Sequence, residues 1–289
     1  MGKRRQYGFS LLEVIVAVAI TLVIMLVLFT GLNQVQRRYR GEQLLTEVSD
    51  GIRGVVELMS QEISLAGLHG FETRTLTAPV VGSPTAQAVV LDDTTGIFVG
   101  QKLLVDIDAS QETVEVTGIS GSTVTGAFRR AHLAGAAVNT VGPFPTGVLP
   151  GSTATVLRLY GDLYDDGALI YVEYRVTGNT LVRSQTSVGA VVQNAADVLL
   201  ENVVGNPGGT PVFQYGTRSR LGRTYVTQVA VTLTSETSTP DPETGDIRDQ
   251  TVSFVVVPRN VMAAFQLHPM VGGDGFVQNQ PPGLPIPIS

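Results

Sequence analysis

Residues 9–32 read FSLLEVIVAVAITLVIMLVLFTGL, and the rest of the chain is read outward from this stretch. Its only charged residue is Glu13, no proline interrupts it, and its first glycine, Gly31, lies at the far end. At about 1.5 Å rise per residue, roughly 20 apolar residues cross a hydrocarbon core about 30 Å thick. The stretch therefore predicts one transmembrane helix. A buried helix of a globular core rarely stays apolar on every face over such a length. A carboxylate inside a bilayer is costly and usually has a specific partner. The span holds no Lys, Arg or His, so the partner of Glu13 is not local.

A short basic leader, Met1 to Gly8 with Lys3, Arg4 and Arg5, precedes the span. An ordinary signal peptide carries its apolar region before its cleavage site. Cutting after Gly8 would instead leave the apolar helix on the mature chain, with a new α-amino group at Phe9. That ammonium, on a neighbouring molecule, could pair with Glu13. The motif G-F-S-L-L-E, preceded by K-R-R and followed at once by the apolar helix, resembles the type IV prepilin family. The resemblance implies cleavage by prepilin peptidase between Gly8 and Phe9, N-methylation of Phe9, and a role for Glu13 in subunit assembly. The alternative is a plain membrane anchor whose Glu13 snorkels to the interface. Lys3, Arg4 and Arg5 before the span are balanced by Arg37, Arg38 and Arg40 after it, so the positive-inside rule does not set orientation. A cytoplasmic leader and an exported body follow from the resemblance alone.

Composition bounds the rest. Seven of the 19 Lys+Arg and six of the 25 Asp+Glu lie up to Gly67. The remainder carries twelve against nineteen, net −7. An acidic body argues against nucleic acid as main partner, because phosphate binding needs clustered positive charge. Cysteine is absent, so the disulfide that many pilins carry near the C-terminus is missing, and the body relies on its core.

After the span the apolar pattern becomes one-sided. Leu45, Val48, Ile52, Val55, Met59, Ile63 and Ala66 recur at three- and four-residue steps, with Glu42, Glu47, Asp50, Arg53, Glu57 and Glu62 between them. The spacing predicts an amphipathic helix over 33–67 that continues the membrane helix and lays one stripe on a folded head. Gly41, Gly51 and Gly54 are weak points or close-packing points in it, and Gly67 and Gly70 end it. The run L-M-S-Q-E-I-S-L-A-G-L-H-G resembles the end of this helix in PilW-type minor pilins.

Residues 68–88 read as a Thr/Pro/Ser-rich connector. From about 89 to 142 the texture is all-β, with strands expected at Lys102 to Ile107, Glu112 to Ile119 and Thr123 to Phe128. The phrases V-G-Q-K-L-L-V and A-H-L-A-G-A-A-V resemble small β-barrel modules inserted in phage tail and bacterial surface proteins. Residues 143–262 carry longer strands, with a hairpin over Leu169 to Gln185 around Gly178-Asn179. Later strands are expected at Val212 to Tyr215, Tyr225 to Ser235 and Gln250 to Val257. The phrases I-Y-V-E-Y-R-V-T-G-N-T-L-V-R and V-V-V-P-R-N resemble the C-terminal sheet of PilW-type chains. Residues 263–289 read as an irregular Pro/Gly-rich tail.

Little points to catalysis. His69, His132 and His268 sit in three separate contexts, with no H-x-x-x-H spacing, and neither G-x-S-x-G nor a phosphate loop is present. Asp162, Asp165 and Asp166 before Gly167 lack the full calcium-loop pattern and read as a turn. Asp241-Pro-Glu-Thr-Gly-Asp246 reads as a solvated hairpin loop. Arg218, Arg220 and Arg223 read as ion-pairing with an acidic surface rather than contacting DNA.

The expected fold class is α+β, of type IV pilin form: a long N-terminal helix, transmembrane then amphipathic, packed on an antiparallel sheet with an inserted all-β module. The resemblance implies a non-enzymatic structural subunit without cofactor. It would be held in the inner membrane with an exported C-terminal domain, then reach a pilus at the cell surface. Its partners would be prepilin peptidase, other major and minor pilins, the inner-membrane assembly platform and membrane lipid. A pseudopilin of a type II secretion system is the alternative, as is a membrane-anchored adhesin or receptor using the β module for binding.

Overall fold

No proline occurs before Pro79, and the chain from Leu11 to Leu65 forms one unbroken helix of 55 residues, α1. The computed structural model describes residues 10–70, 72–190, 192–268 and 276–284. The chain divides into two compact units, one of residues 1–50 with 236–250, the other of 51–235 with 251–289.

In the first unit α1 is apolar on every side over residues 11–32 apart from Glu13: Leu11, Ile15, Val18, Leu22, Leu26 and Phe29 are all exposed. Water would penalise this surface at about 25 cal/mol per Å², so it calls for lipid or neighbouring helices. The hydroxyls inside the stretch are satisfied by the helix itself. Thr21 Oγ1 donates to the Ala17 carbonyl at 2.8 Å and Thr30 Oγ1 to the Leu26 carbonyl at 2.6 Å. No polar hydrogen of these side chains then needs water, as a bilayer demands.

The loop 236–250 in the same unit docks at Gly41. A Cβ there would come within 2.9 Å of the Asp241 carboxylate, so a larger residue would have to displace that carboxylate. Asp241 is buried, pairs with Arg248 at 3.0 Å, and accepts the Glu243 N–H at 2.8 Å; Arg38 meets Glu243 at 3.0 Å. Asp241 is thus clamped, while residues 242–247 of the loop are exposed, as the solvated reading had them. At Gly54, by contrast, a Cβ would meet nothing within 4 Å. Gly54→Ala should therefore stabilise the chain by up to about 1 kcal/mol through helix propensity. Gly41→Ala should instead speed amide exchange of Thr237, Asp241 and Gly245, whose N–H groups are bonded within the loop. Hydrogen exchange resolved by residue checks both; unchanged protection at those three amides in Gly41→Ala would count against the clamp.

In the second unit Ile52, Val55, Met59, Ile63 and Ala66 are buried, the stripe that the spacing anticipated. Glu62 departs from the reading that set it on the solvent face: it is 3% exposed. Gly67, at φ 82°, ends α1, donating its N–H to the Tyr160 carbonyl at 2.8 Å. Such a left-handed terminus is where glycine costs least.

Six strands follow: β1 (Arg74–Thr75), β2 (Gln87–Val90), β3 (Lys102–Val105), β4 (Glu112–Ser120), β5 (Thr123–Gly126) and β6 (Ala137–Thr140). They pair in the order β1-β6-β3-β4-β5-β2, and a Leu76–Leu91 bridge joins the two ends, so the sheet closes into a small barrel. Leu103, Val105, Val114, Val116, Val124, Phe128 and Val138 fill it, each at most 1% exposed. The barrel starts earlier than the connector reading of 68–88 allowed. Arg74 pairs with Val138 and Thr75 with Ala137, and Leu76 and Val80 point into the barrel core. Isolated apolar residues among Thr, Ser and Pro show no period-2 signal, because their pairing partners are far along the chain.

Next comes a meander of β7 (Val156–Gly161), β8 (Ile170–Thr177), β9 (Thr180–Ser187) and β10 (Asp197–Leu200). Its order is β10-β9-β8-β7, all antiparallel. Gly178 at φ 60° turns the β8–β9 hairpin, with Thr177 opposite Thr180. The last sheet holds β11 (Val203–Val204), β12 (Phe213–Arg220), β13 (Arg223–Glu236) and β14 (Asp249–Val256), with β13 pairing the other three.

The tail reading of 263–289 needs correcting for the described residues. Arg259–Leu267 is a second helix, α2, with Val261 and Ala264 buried against Tyr225 and Val277. Its Asn260 donates to the Leu65 carbonyl at 3.1 Å, capping the end of α1. Gln278, 0% exposed, takes the Lys102 N–H at 3.0 Å on its oxygen and gives its own N–H to the Lys102 carbonyl at 2.6 Å. The side-chain amide thus stands in for a peptide group against the barrel, a device that leaves no periodic trace.

Candidate functional site

The site singled out by the sequence is the start of α1. Gly8 and Phe9 lie outside the described residues. Glu13 sits in the first helical turn and is exposed, and it makes a contact that the sequence reading missed. Ser10 Oγ accepts the Glu13 N–H at 3.2 Å, and the Glu13 carboxylate accepts the Ser10 N–H at 3.4 Å. This is a reciprocal capping box, which satisfies two of the N–H groups that every helix start leaves open. The signal was present as S-x-x-E before an apolar run. In an apolar medium the box does more than in water, because an unbonded N–H there has no substitute partner. It leaves the carboxylate charge unneutralised.

The other candidates resolve into structure. His132, fully buried as a side chain, has Nδ1 3.0 Å from Asp106 and Nε2 2.7 Å from Glu112, so both ring nitrogens are spent. Glu112 also accepts the N–H groups of Arg129 and Arg130, which ties the β-barrel's last loop together. His268 Nδ1 lies 2.7 Å from the Tyr225 hydroxyl. Asp162 accepts the N–H groups of Asp166 and Gly167, and Asp166 accepts that of Ala168, a turn held by its own carboxylates. Among the described residues no group of three or more His, Asp or Glu is arranged to hold a metal ion. Among them, too, Arg218, Arg220 and Arg223 meet no carboxylate; Arg220 lies 5.1 Å from the Phe265 ring centre.

His69 is packed between Phe98 and Phe144. Gln101 takes the Phe98 N–H on its oxygen, so its amide nitrogen faces His69 Nε2 at 2.8 Å as donor, and the ring is neutral. Burial lowers its pKa from 6.5 to about 4, against the opposing Gln101 hydrogen bond. The unfolded chain takes up this proton first. The stability it contributes is therefore full above pH 6.5 and is lost as pH falls toward about 4. The loss amounts to up to about 3 kcal/mol. His69→Phe should flatten that part of the curve, as denaturant unfolding at about pH 7 and about pH 4.5 would show. An unchanged slope would mean that another group titrates.

One cluster carries more charge than the sequence suggested. Glu62 accepts from the Tyr174 hydroxyl and from Arg183 Nε and Nη2, with Glu62 and Arg183 side chains 4% and 12% exposed. Arg183 also reaches Gln185 at 2.9 Å. Burial, together with the neighbouring Glu62 charge, pushes the Tyr174 hydroxyl well above its usual range. This cluster fastens the end of α1 to β8 and β9.

The fold and the start of α1 define an α+β protein whose N-terminal helix is apolar and long enough to anchor it in a membrane. The family model described as "Prokaryotic N-terminal methylation motif" matches residues 3–29, which supports a type IV pilin or pseudopilin-like precursor. That motif implies processing by prepilin peptidase and assembly with other pilins. No curated protein and no solved structure matches the chain.

Proposed function

We propose that the chain is a minor type IV pilin of the PilW type: a structural subunit, not an enzyme, cleaved at the inner membrane and incorporated into a pilus at low copy. The observation that carries the reading is the methylation motif over residues 3–29 at the head of an uninterrupted 55-residue helix. In this reading prepilin peptidase cuts between Gly8 and Phe9 and methylates Phe9. The assembly platform then lifts the subunit, and α1 enters a bundle of neighbouring pilin helices. There the Phe9 ammonium of one subunit neutralises Glu13 of another, in a low-dielectric setting where pairing offsets desolvation only with good geometry. The sheets form the pilin head, and the β-barrel is displayed on it.

Mass spectrometry of the protein extracted from membranes and from sheared fibres tests this. The mature chain is expected to begin at Phe9, to carry one added methyl group, and to be found in the fibres. A mature chain beginning at Met1 would overturn the reading. A processed chain found only in a secretion pseudopilus would replace the pilus by that assembly.

A further inference from the structure

One face of α1 changes character where the apolar stretch ends. Asn33, Gln36, Arg37 and Arg40 stand at positions i, i+3, i+4 and i+7, so they line up on one side of the helix. All four are exposed, and each offers side-chain N–H groups. Arg38 is turned about 100° from Arg37, to the side where Gly41 receives the loop 236–250, and it is taken by Glu243 at 3.0 Å. Among the described residues Arg37 and Arg40 have no carboxylate partner. Glu42 falls on the opposite side of the helix, and Glu47 lies two turns beyond Arg40, about 10 Å along the axis. The face therefore presents two guanidinium groups and two amides with no acid among them, a donor set that suits an oxyanion.

The unbroken helix also fixes the depth of this face. With the hydrocarbon core ending at Leu32, a rise of about 1.5 Å per residue puts Asn33 about 2 Å and Arg37 about 8 Å beyond it. The headgroup layer on each side of the core is about 5–8 Å thick. Arg40 lies about 12 Å out, and its long side chain reaches back toward the layer. Tyr39, also exposed, is of a residue type enriched at this boundary.

We propose that Asn33, Gln36, Arg37 and Arg40 form a binding site for the headgroup of an anionic phospholipid, in the leaflet where α1 leaves the membrane toward the body. Arg37 holds the phosphate through its forked N–H groups, Arg40 adds a second cation, and the two amides donate to oxygens of the same headgroup. An exported body would place three arginines on the flank where the positive-inside rule disfavours them. The site accounts for them: Glu243 takes one and lipid takes two. The proposed function enters only in deciding which leaflet this is; the site itself needs only that α1 crosses a bilayer.

Full-length protein is placed in bilayer nanodiscs of equimolar phosphatidylcholine and phosphatidylglycerol, and the lipids that stay bound on transfer to detergent are counted by native mass spectrometry. Phosphatidylglycerol is expected to exceed phosphatidylcholine at least fivefold. Arg37→Gln with Arg40→Gln should lower that preference at least threefold, whereas Arg38→Gln should leave it nearly unchanged. These positions are exposed on the helix, so the head folds in every variant. The leader carries cations too, so a chain with Lys3→Gln, Arg4→Gln and Arg5→Gln is measured beside them and should keep most of the preference. Equal retention of the two lipids by the unaltered chain, or a preference lost with the leader cations and not with Arg37 and Arg40, would overturn the site. Displacement of the lipid by excess inorganic phosphate would mean a free-anion site and would overturn it as well. Incorporation into fibres is scored separately. Protein found in fibres but without lipid preference rejects the site and keeps the pilin reading; lipid preference in a chain absent from fibres does the reverse.

Discussion

Glu13→Gln is expected to cut the ratio of fibre-bound to membrane-bound protein at least tenfold, with cleavage and membrane level unchanged. The variant separates two functions of one carboxylate. Gln can serve in the capping box that joins residue 13 to Ser10, so the helix start is kept. What Gln removes is the charge, and a neighbour's Phe9 ammonium would then be buried without a counter-ion. Breaking a buried pair costs about 3–5 kcal/mol, and about 1.4 kcal/mol already corresponds to a factor of ten. Glu13→Ala also leaves the Ser10 N–H without its acceptor, at a cost of about 1 kcal/mol, while Ser10 Oγ still accepts the N–H of residue 13. If capping or snorkelling were the whole function, Gln would behave like wild type and only Ala, or neither, would show a defect. Quantifying the protein in sheared fibres and in inner membranes for the three chains decides the matter. A wild-type ratio for Glu13→Gln would remove the pairing role.

Glu62→Ala should cost about 3–5 kcal/mol, because it leaves Arg183 buried without its carboxylate, and the Tyr174 hydroxyl loses its acceptor as well. For a body of this size that corresponds to a fall in Tm of about 10 °C. Glu57→Ala, one turn earlier on an exposed position, should change stability by no more than about 0.5 kcal/mol. Replacing Glu62 and Arg183 together by Met should recover most of the loss, since an apolar pair of similar volume avoids the desolvation cost. Thermal unfolding of the detergent-extracted chains measures all three. Equal melting of Glu62→Ala and wild type would mean that the cluster contributes nothing to holding α1 on β8 and β9.

The contrast between Glu13 and Glu62 shows where local reading ends. Glu13 is legible because its surroundings are sequence neighbours: an apolar run, a leader, and Ser10 three residues before it. Even the capping box was readable from that spacing. Glu62 sits at an ordinary place in a helical pattern, and polar residues between apolar ones are read as solvent-facing. Its burial is decided by Arg183 and Tyr174, more than a hundred positions away, and no period in the chain encodes that meeting.

The same division holds for the larger elements. The sequence by itself determined α1, with its apolar first part and its buried stripe from Ile52 to Ala66, because helix periodicity and the absence of proline are local properties. It also determined the Gly178-Asn179 hairpin, whose turn chemistry lies in two adjacent residues. Tertiary structure alone decided that the β-barrel begins at Arg74, that Gln278 pairs with Lys102 as a peptide would, and that Arg259–Leu267 is a helix. In each of these cases the stabilising partner comes from a distant part of the chain. Hydrogen bonds and charge pairs of that kind depend on distance in space, which spacing along the sequence does not carry.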